Sequence, residues 1–416
     1  MTTTNDTNTE AVYFESLTIE GINCFKNKQQ VDFINQDKSP ALWTVILGNN
    51  NSGKTTLLRC LALLSPRESS TKHQGKDYYG NYAFLPTLEH TIKHLSDNSR
   101  FSYSKTVLSN KVASFFNSVF ADMYIPNKIQ NFKVDAYGTQ RKEGKGQFID
   151  YKLDNRIESL FKDDVDSIIN AEEWFLGTDY NALKGGGKFT QNLSQIKEAL
   201  ISLLPDIKDI EINENGARRV HFVTHSNDRV LVNQLGSGYQ SLITWVVDFA
   251  KRMFDRYPES ANPLAEPAIV LVDEIDLHLH PEWQRKIVSF LSERFPKTQF
   301  IVTAHSPLVI QSASNINVVV LQKDETTNDV SVFQPKTTNF QGWSVEEILS
   351  NLMQMGDKIH SETYLKLMQQ FDEGLDNDNY QLAKNAYDEL KKIVHSSSTL
   401  KMLRLQMSSL IPEQNG

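Results

Sequence analysis

The sequence predicts an α/β fold: a mainly parallel sheet, interrupted by a long inserted lobe and closed by a helical tail. Three observations carry that expectation. Four short apolar runs, at 42–47, 268–272, 299–303 and 318–321, have the length and composition of strands buried on both faces. The first of them runs straight into a glycine-bearing loop that opens a helix. Beyond Phe340 the apolar spacing turns helical and stays so.

Element by element, residues 1–10 are polar and read as a disordered tail. A strand is expected over 13–22, with 31–33 as its hairpin partner, and then the buried strand 42–47. Residues 55–64 have helical spacing and are stopped by Pro66. Residues 67–104 show little periodicity; a helix is expected over 111–120 and a strand over 133–137. The stretch 141–147 is basic and Gly-rich, hence a loop. Helices are expected through most of 155–205, broken at Lys184-Gly-Gly-Gly-Lys188, followed by short strands at 211–213 and 220–223 around Asn215-Gly216. Helices at 242–254 and 283–295 alternate with the remaining apolar strands. The tail should hold helices at 345–353, 360–371, 380–394 and 399–408. The expected divisions are a tail (1–10), a first head segment (11–66), an inserted lobe (67–230), a second head segment (231–340) and a helical tail (341–416).

Composition narrows the class. Of 416 residues, 39% are hydrophobic, with 22 Phe and 14 Tyr, which excludes a disordered chain. No run approaches the ~18 apolar residues of a membrane span, and the acidic, polar start is the reverse of a secretory leader. Two cysteines, Cys24 and Cys60, are too few for a disulfide framework or a structural zinc site. These features point to the cytoplasm. The net charge of −8 argues against coating nucleic acid by bulk electrostatics, although the first third is slightly basic and the rest carries the acidic excess.

The segment GNNNSGKT, comprising Gly48, Asn49, Asn50, Asn51, Ser52, Gly53, Lys54 and Thr55 and running on into Thr56, fits G-x-x-x-x-G-K-[ST]. Between a buried strand and a helix N-terminus, backbone N–H groups and the helix dipole converge on phosphate. Lys54 then meets the β/γ-phosphates of ATP, and the Thr55 hydroxyl is placed to ligate Mg²⁺. The run AIVLVDE ends an apolar strand in Asp273 and Glu274. Asp273 would complete the Mg²⁺ shell, and Glu274 would orient or deprotonate the attacking water. A third strand ends at IVTAHSP, where His305 can reach the γ-phosphate from the carboxyl edge. His278 and His280 are too few for a metal site and are better read as structural or dimer contacts.

These elements, in this order, resemble the ABC-type P-loop ATPase heads of the RecF/SMC/OLD group. LGSGYQSL, with Leu235, Gly236, Ser237 and Gly238, looks like the signature loop, which in that family caps ATP bound to the opposite subunit. Gly236 stands where the family usually has serine, and Ser237 is displaced by one. IDLHLHPEWQ is similar to the D-loop region, giving Asp276 and His280. The opening LTIEGINCFKN is similar to the first strand of such heads, with Phe25 either beside the adenine or in the core. Gln140 is the Q-loop candidate, against a plain loop residue.

The tail, with FQGWSVEEIL and NYQLAKNAYDELKKI, sharpens the resemblance toward PtuA-type ATPases of Septu and retron anti-phage systems. It implies a homodimer or higher oligomer through ATP-sandwiched heads, a separate HNH-type nuclease partner, and in retrons a reverse transcriptase with its nucleic acid. No sustained heptads and no nuclease cluster occur in the chain itself. The alternatives are a RecF-like repair ATPase, touching DNA through Arg141, Lys142, Lys145, Lys184 and Lys188, and a nucleotide-gated scaffold with little turnover.

Overall fold

The computed structural model describes residues 11–63, 87–94, 100–106, 133–141, 156–161, 168–204, 206–213, 218–311, 314–353 and 355–410. The expected tail at 1–10, the helix at 111–120, and Lys142 and Lys145 lie outside these residues. The chain divides into two compact units, Met1–Trp343 and Ser344–Gly416.

The first unit is organised by a six-stranded sheet. Its strands are β3 (Trp43–Gly48), β6 (Val134–Tyr137), β10 (Ala268–Val272), β11 (Thr298–Thr303), β12 (Asn317–Lys323) and β13 (Val330–Phe333). The spatial order is β13-β12-β3-β11-β10-β6. All neighbours are parallel except the β12–β13 edge pair. Every residue of β3, β10 and β11 is buried, which is why these strands are mainly apolar rather than alternating, Thr44, Thr298, Gln299 and Thr303 being buried polar residues among them. β11 therefore separates the strand feeding the glycine loop from the strand ending in Asp273. All three deliver their carboxyl ends to one edge.

A second sheet, in the order β2-β1-β4-β5, is formed by β1 (Val12–Glu20), β2 (Gln29–Asp32), β4 (Thr87–His94) and β5 (Arg100–Thr106). The β1–β2 hairpin matches the expectation. Its extension by β4 and β5 comes from the segment that showed no periodicity. Helix α1 (Lys54–Leu63) follows the loop and packs Leu57, Leu58 and Leu61 into the same core as Phe14, Phe25 and Phe33. The inserted region also supplies α2 (Ala171–Leu183), α3 (Gly187–Leu203) and a three-stranded sheet of β7 (Ile207–Asn213), β8 (Arg219–Thr224) and β9 (Arg229–Val230). The long amphipathic α4 (Ser237–Arg256) and α5 (Pro281–Arg294) follow.

β6 is tied to α4 by buried charge. Asp135 is fully buried, with Arg256 Nη2 at 2.6 Å, Arg156 Nη1 at 3.5 Å and Arg252 Nη1 at 3.6 Å. Asp248 accepts from Arg252 Nε at 2.5 Å and from the Tyr137 hydroxyl at 2.8 Å. Burial alone would raise the Asp135 carboxyl, but Arg256, Arg156 and Arg252 outweigh it and hold the group below its ordinary range. The depressed value means this stabilisation is complete above the ordinary carboxylate range and is lost as pH falls through the folded-state value. Asp135→Ala leaves three arginines around an empty position and is expected to destabilise the first unit by about 3–5 kcal/mol at neutral pH. Urea unfolding measures this, and a loss under 1 kcal/mol, about the worth of an exposed pair, would contradict the assignment.

In the second unit, α6 (Glu362–Asp376), α7 (Tyr380–Ile393) and α8 (Ser397–Ser408) share a small core of Phe371, Ala383, Ala386, Leu390, Leu403 and Met407. Gly374 allows α6 and α7 to meet closely, since a Cβ there would lie 2.5 Å from the Ala383 nitrogen. Each helix begins at a side-chain cap, Ser361, Asn379 or Ser396. The expected helix at 345–353 is a single α-helical turn running into a π-helical one.

Candidate functional site

The glycine loop spans the carboxyl end of β3 and the start of α1, and its geometry explains its composition. Gly53 has φ +92°, and a Cβ there would meet Cys24 Sγ at 2.5 Å and the Phe25 ring at 3.0 Å. At Gly48 an added Cβ would lie 2.5 Å from Ser52 Oγ and 2.9 Å from the Leu321 carbonyl oxygen. Asn51 also takes a left-handed conformation, at φ 60°. Phe25 has no exposed surface, so it belongs to the core beneath the loop and does not flank a base.

Lys54 crosses the loop, donating to the carbonyls of Gly48 at 2.8 Å and Asn49 at 3.0 Å. Burial lowers its pKa, while Asp273, Glu274 and Asp276 pull the other way. Thr55 Oγ1 donates to Asp273 Oδ2 at 2.7 Å, and Thr303 Oγ1 donates to Asp273 Oδ1 at 2.6 Å. The Thr303 hydroxyl in turn accepts from the Glu274 N–H at 2.7 Å. Both oxygens of Asp273 are thus fixed from neighbouring elements. Thr303 was missed in the sequence reading, although it is the polar residue ending an apolar strand two positions before His305.

Glu274 has φ 48°, the left-handed region that costs a non-glycine residue energy and is common at functional positions. Its Oε1 lies 3.6 Å from His305 Nε2, and both side chains are partly exposed. Asp276 is buried and turned inward, accepting from the N–H groups of His305 (3.1 Å) and Ser306 (2.8 Å). It therefore holds the loop that carries His305. His280 caps α5, its Nδ1 accepting from the Glu282 N–H at 3.4 Å.

Gln140 is exposed, just beyond β6. Its neighbour Arg141 is not the surface contact that its basic loop suggested. Arg141 is buried and bonded to main-chain carbonyls of Asp273 (2.7 Å) and Glu274 (2.9 Å). Burial lowers the Arg141 pKa to about 10, and three carboxylates, Asp273, Asp276 and Glu274, offset part of that desolvation. Lys184 lies over the Tyr180 ring and Lys188 donates to the Pro258 carbonyl, and both residues remain exposed. Of the five basic residues named for DNA contact, Arg141 is therefore withdrawn from the surface, while Lys142 and Lys145 lie outside the described residues.

Leu235, Gly236 and Ser237 lead into the first turn of α4, with Gly236 and Ser237 exposed. The N-cap, Gly236, supplies no side-chain acceptor for the first N–H groups of this twenty-residue helix. Gly238 is buried against the loop after β10: a Cβ there would lie 2.3 Å from the His278 carbonyl oxygen. That oxygen belongs to backbone at φ 61°. Gly238→Ala is expected to cost about 1–3 kcal/mol through overpacking and to lower the melting temperature by several degrees. An unchanged thermal transition would show that the two segments are not held together.

A strand–glycine loop–helix unit, one intervening strand, and an acid-ending strand beside it define a P-loop ATPase head of the ABC type. The chain belongs to the family described as "AAA domain, putative AbiEii toxin, Type IV TA system", whose model matches residues 43–311. It is similar to the Septu protein PtuA of Bacillus thuringiensis, at 26% identity over 88% of this chain and 91% of that protein. The "Retron Vc95 probable ATPase" of Vibrio cholerae is also 26% identical, over 84% of this chain and 81% of the relative. Among solved structures, the SMC head domain from Thermotoga maritima aligns with 77% of this chain and 98% of its own at 12% identity. The TM-score of that alignment is 0.40. Among the described residues, no helix is long and apolar enough to cross a membrane.

Proposed function

We propose that this chain binds and hydrolyses Mg²⁺-ATP at the Gly48–Thr56 loop, pairs head to head around the nucleotide, and controls a partner effector nuclease in cytoplasmic anti-phage defence. The observation that carries the reading is the linked set Thr55–Asp273–Thr303–Glu274. In it the Thr55 and Thr303 hydroxyls fix the Asp273 carboxylate, and Thr303 also holds the backbone amide of Glu274, all at one sheet edge.

The loop suits a polyphosphate on its own evidence. Ser52 Oγ is buried without a hydrogen-bond partner, a polar group in the loop that a phosphate oxygen would satisfy. Thr55 and Asp273 would hold Mg²⁺, which when bound offsets phosphate charge. Lys54 would turn from its two carbonyls to the β/γ-phosphates. Glu274 would orient the attacking water and accept its proton, and His305 would contact the γ-phosphate beside it. Gln140 would approach the same edge from β6. Across a pair of heads, the backbone N–H groups of Gly236, Ser237 and Gly238 at the start of α4 would meet the γ-phosphate held by the other chain.

Anti-phage function is tested by expressing the chain with a nuclease encoded beside it in bacteria challenged with phage. Protection by the wild type and its loss with Lys54→Ala supports the reading. Equal protection by both variants removes the nucleotide from the mechanism.

A further inference from the structure

Arg141 is placed where one side chain touches two moving parts of the proposed cycle. Nη2 donates to the carbonyls of Asp273 (2.7 Å) and Glu274 (2.9 Å), Nη1 donates to Ser241 Oγ (3.1 Å), and Nε donates to Gly138 O (3.2 Å). Ser241 lies four residues after Ser237, on the same face of α4 one turn in. The Arg141 loop is itself registered on the acid-bearing strand, because Tyr137 pairs with Val272 and the Asp273 N–H donates to Tyr137 O at 2.8 Å.

A cleft of about 710 Å³, whose lining includes Gln140, Arg141, Ser237, Ser241 and His278, lies between the start of α4 and the 139–141 loop. The Arg141–Ser241 bond thus spans two elements that do not fill the space between them. The backbone it grips is strained: Glu274 sits at φ 48°, and its amide is held separately by Thr303. A small displacement of its carbonyl would rotate the peptide and swing the carboxylate.

We propose that Arg141 is a positioning residue for hydrolysis, transmitting the position of the α4 N-terminus to the backbone of Glu274. Nucleotide from a second head, docking at Ser237, then sets the water-orienting carboxylate of this head, and the two sites fire together. This rests on the reading of α4 as a trans-acting signature helix. Lysine cannot replace the residue, because only the planar guanidinium fork reaches two adjacent carbonyls and a hydroxyl at once.

The test uses the full chain as wild type, Ser241→Ala, Ser241→Thr and Arg141→Lys. Steady-state hydrolysis is measured against ATP concentration, and nucleotide affinity separately with a fluorescent ATP analogue. The wild type should hydrolyse cooperatively. Ser241→Ala should lower kcat about 5–20-fold and bring the Hill coefficient to unity, with affinity within about twofold. Ser241→Thr, which keeps the hydroxyl, should behave as wild type, and Arg141→Lys should lose at least as much kcat as Ser241→Ala. A cooperative wild type whose Ser241→Ala variant keeps its kcat and cooperativity overturns the relay alone. Parallel loss of affinity, kcat and melting temperature in Ser241→Ala reduces the bond to a structural one and also overturns it. A non-cooperative wild type that stays monomeric with ATP overturns the paired-head reading and the relay with it.

Discussion

Glu274→Gln is expected to lower ATP turnover by about 10²–10⁴-fold while leaving nucleotide affinity within about twofold. Glutamine keeps the shape and the hydrogen-bonding reach of glutamate but cannot accept the proton of an attacking water. Nothing that fixes the backbone is lost either, since the Thr303 and Arg141 contacts are made to the amide and carbonyl of residue 274. The variant should therefore fold and bind as wild type and stall before hydrolysis. Single-turnover measurements with radiolabelled ATP separate these steps. Undiminished turnover would assign the water-activating role elsewhere and leave Glu274 as a loop residue.

Lys54→Ala should have the larger effect on binding, weakening ATP affinity at least about 100-fold. The ammonium is the cation seated in the loop itself, held over it by the carbonyls of Gly48 and Asn49. Its pKa is lowered chiefly by burial. Pairing with phosphate would compensate that burial, so removing the amine costs charge-assisted contacts to the nucleotide and few to the fold. Isothermal titration with ATP and Mg²⁺ reads this directly. Wild-type affinity in Lys54→Ala would place the nucleotide outside the loop.

What was legible in the sequence was what chemistry writes locally. The glycine loop could be read because strand, loop and helix are contiguous and each constrains residue type: mainly apolar residues in β3, glycines where a Cβ collides, a hydroxyl at Thr55. Asp273 and His305 were legible because each follows within two residues of the end of a buried strand. Arg141 was not, because its inward turn depends on Asp273, Asp276 and Glu274, more than a hundred residues away, which make the interior hospitable to a cation. Separation along the chain, though shorter, likewise concealed the pairing of β4 with β1 and the contact that forces glycine at position 238. Asp276 was expected in the D-loop by resemblance, yet only the fold reveals that its carboxylate supports the His305 backbone.

The proposed sharing of one nucleotide between the loop of one head and the α4 N-terminus of another is tested most directly by complementation. Lys54→Ala destroys the loop half of a composite site, and Ser237→Arg blocks the signature half. Each variant alone should be inactive in ATP hydrolysis. Co-expressed and purified together, mixed pairs contain one site built from two intact halves, and ATPase activity should reappear at a fraction of the wild-type rate. A mixed preparation no more active than either variant alone, with mixed oligomers shown to be present, would contradict the shared site.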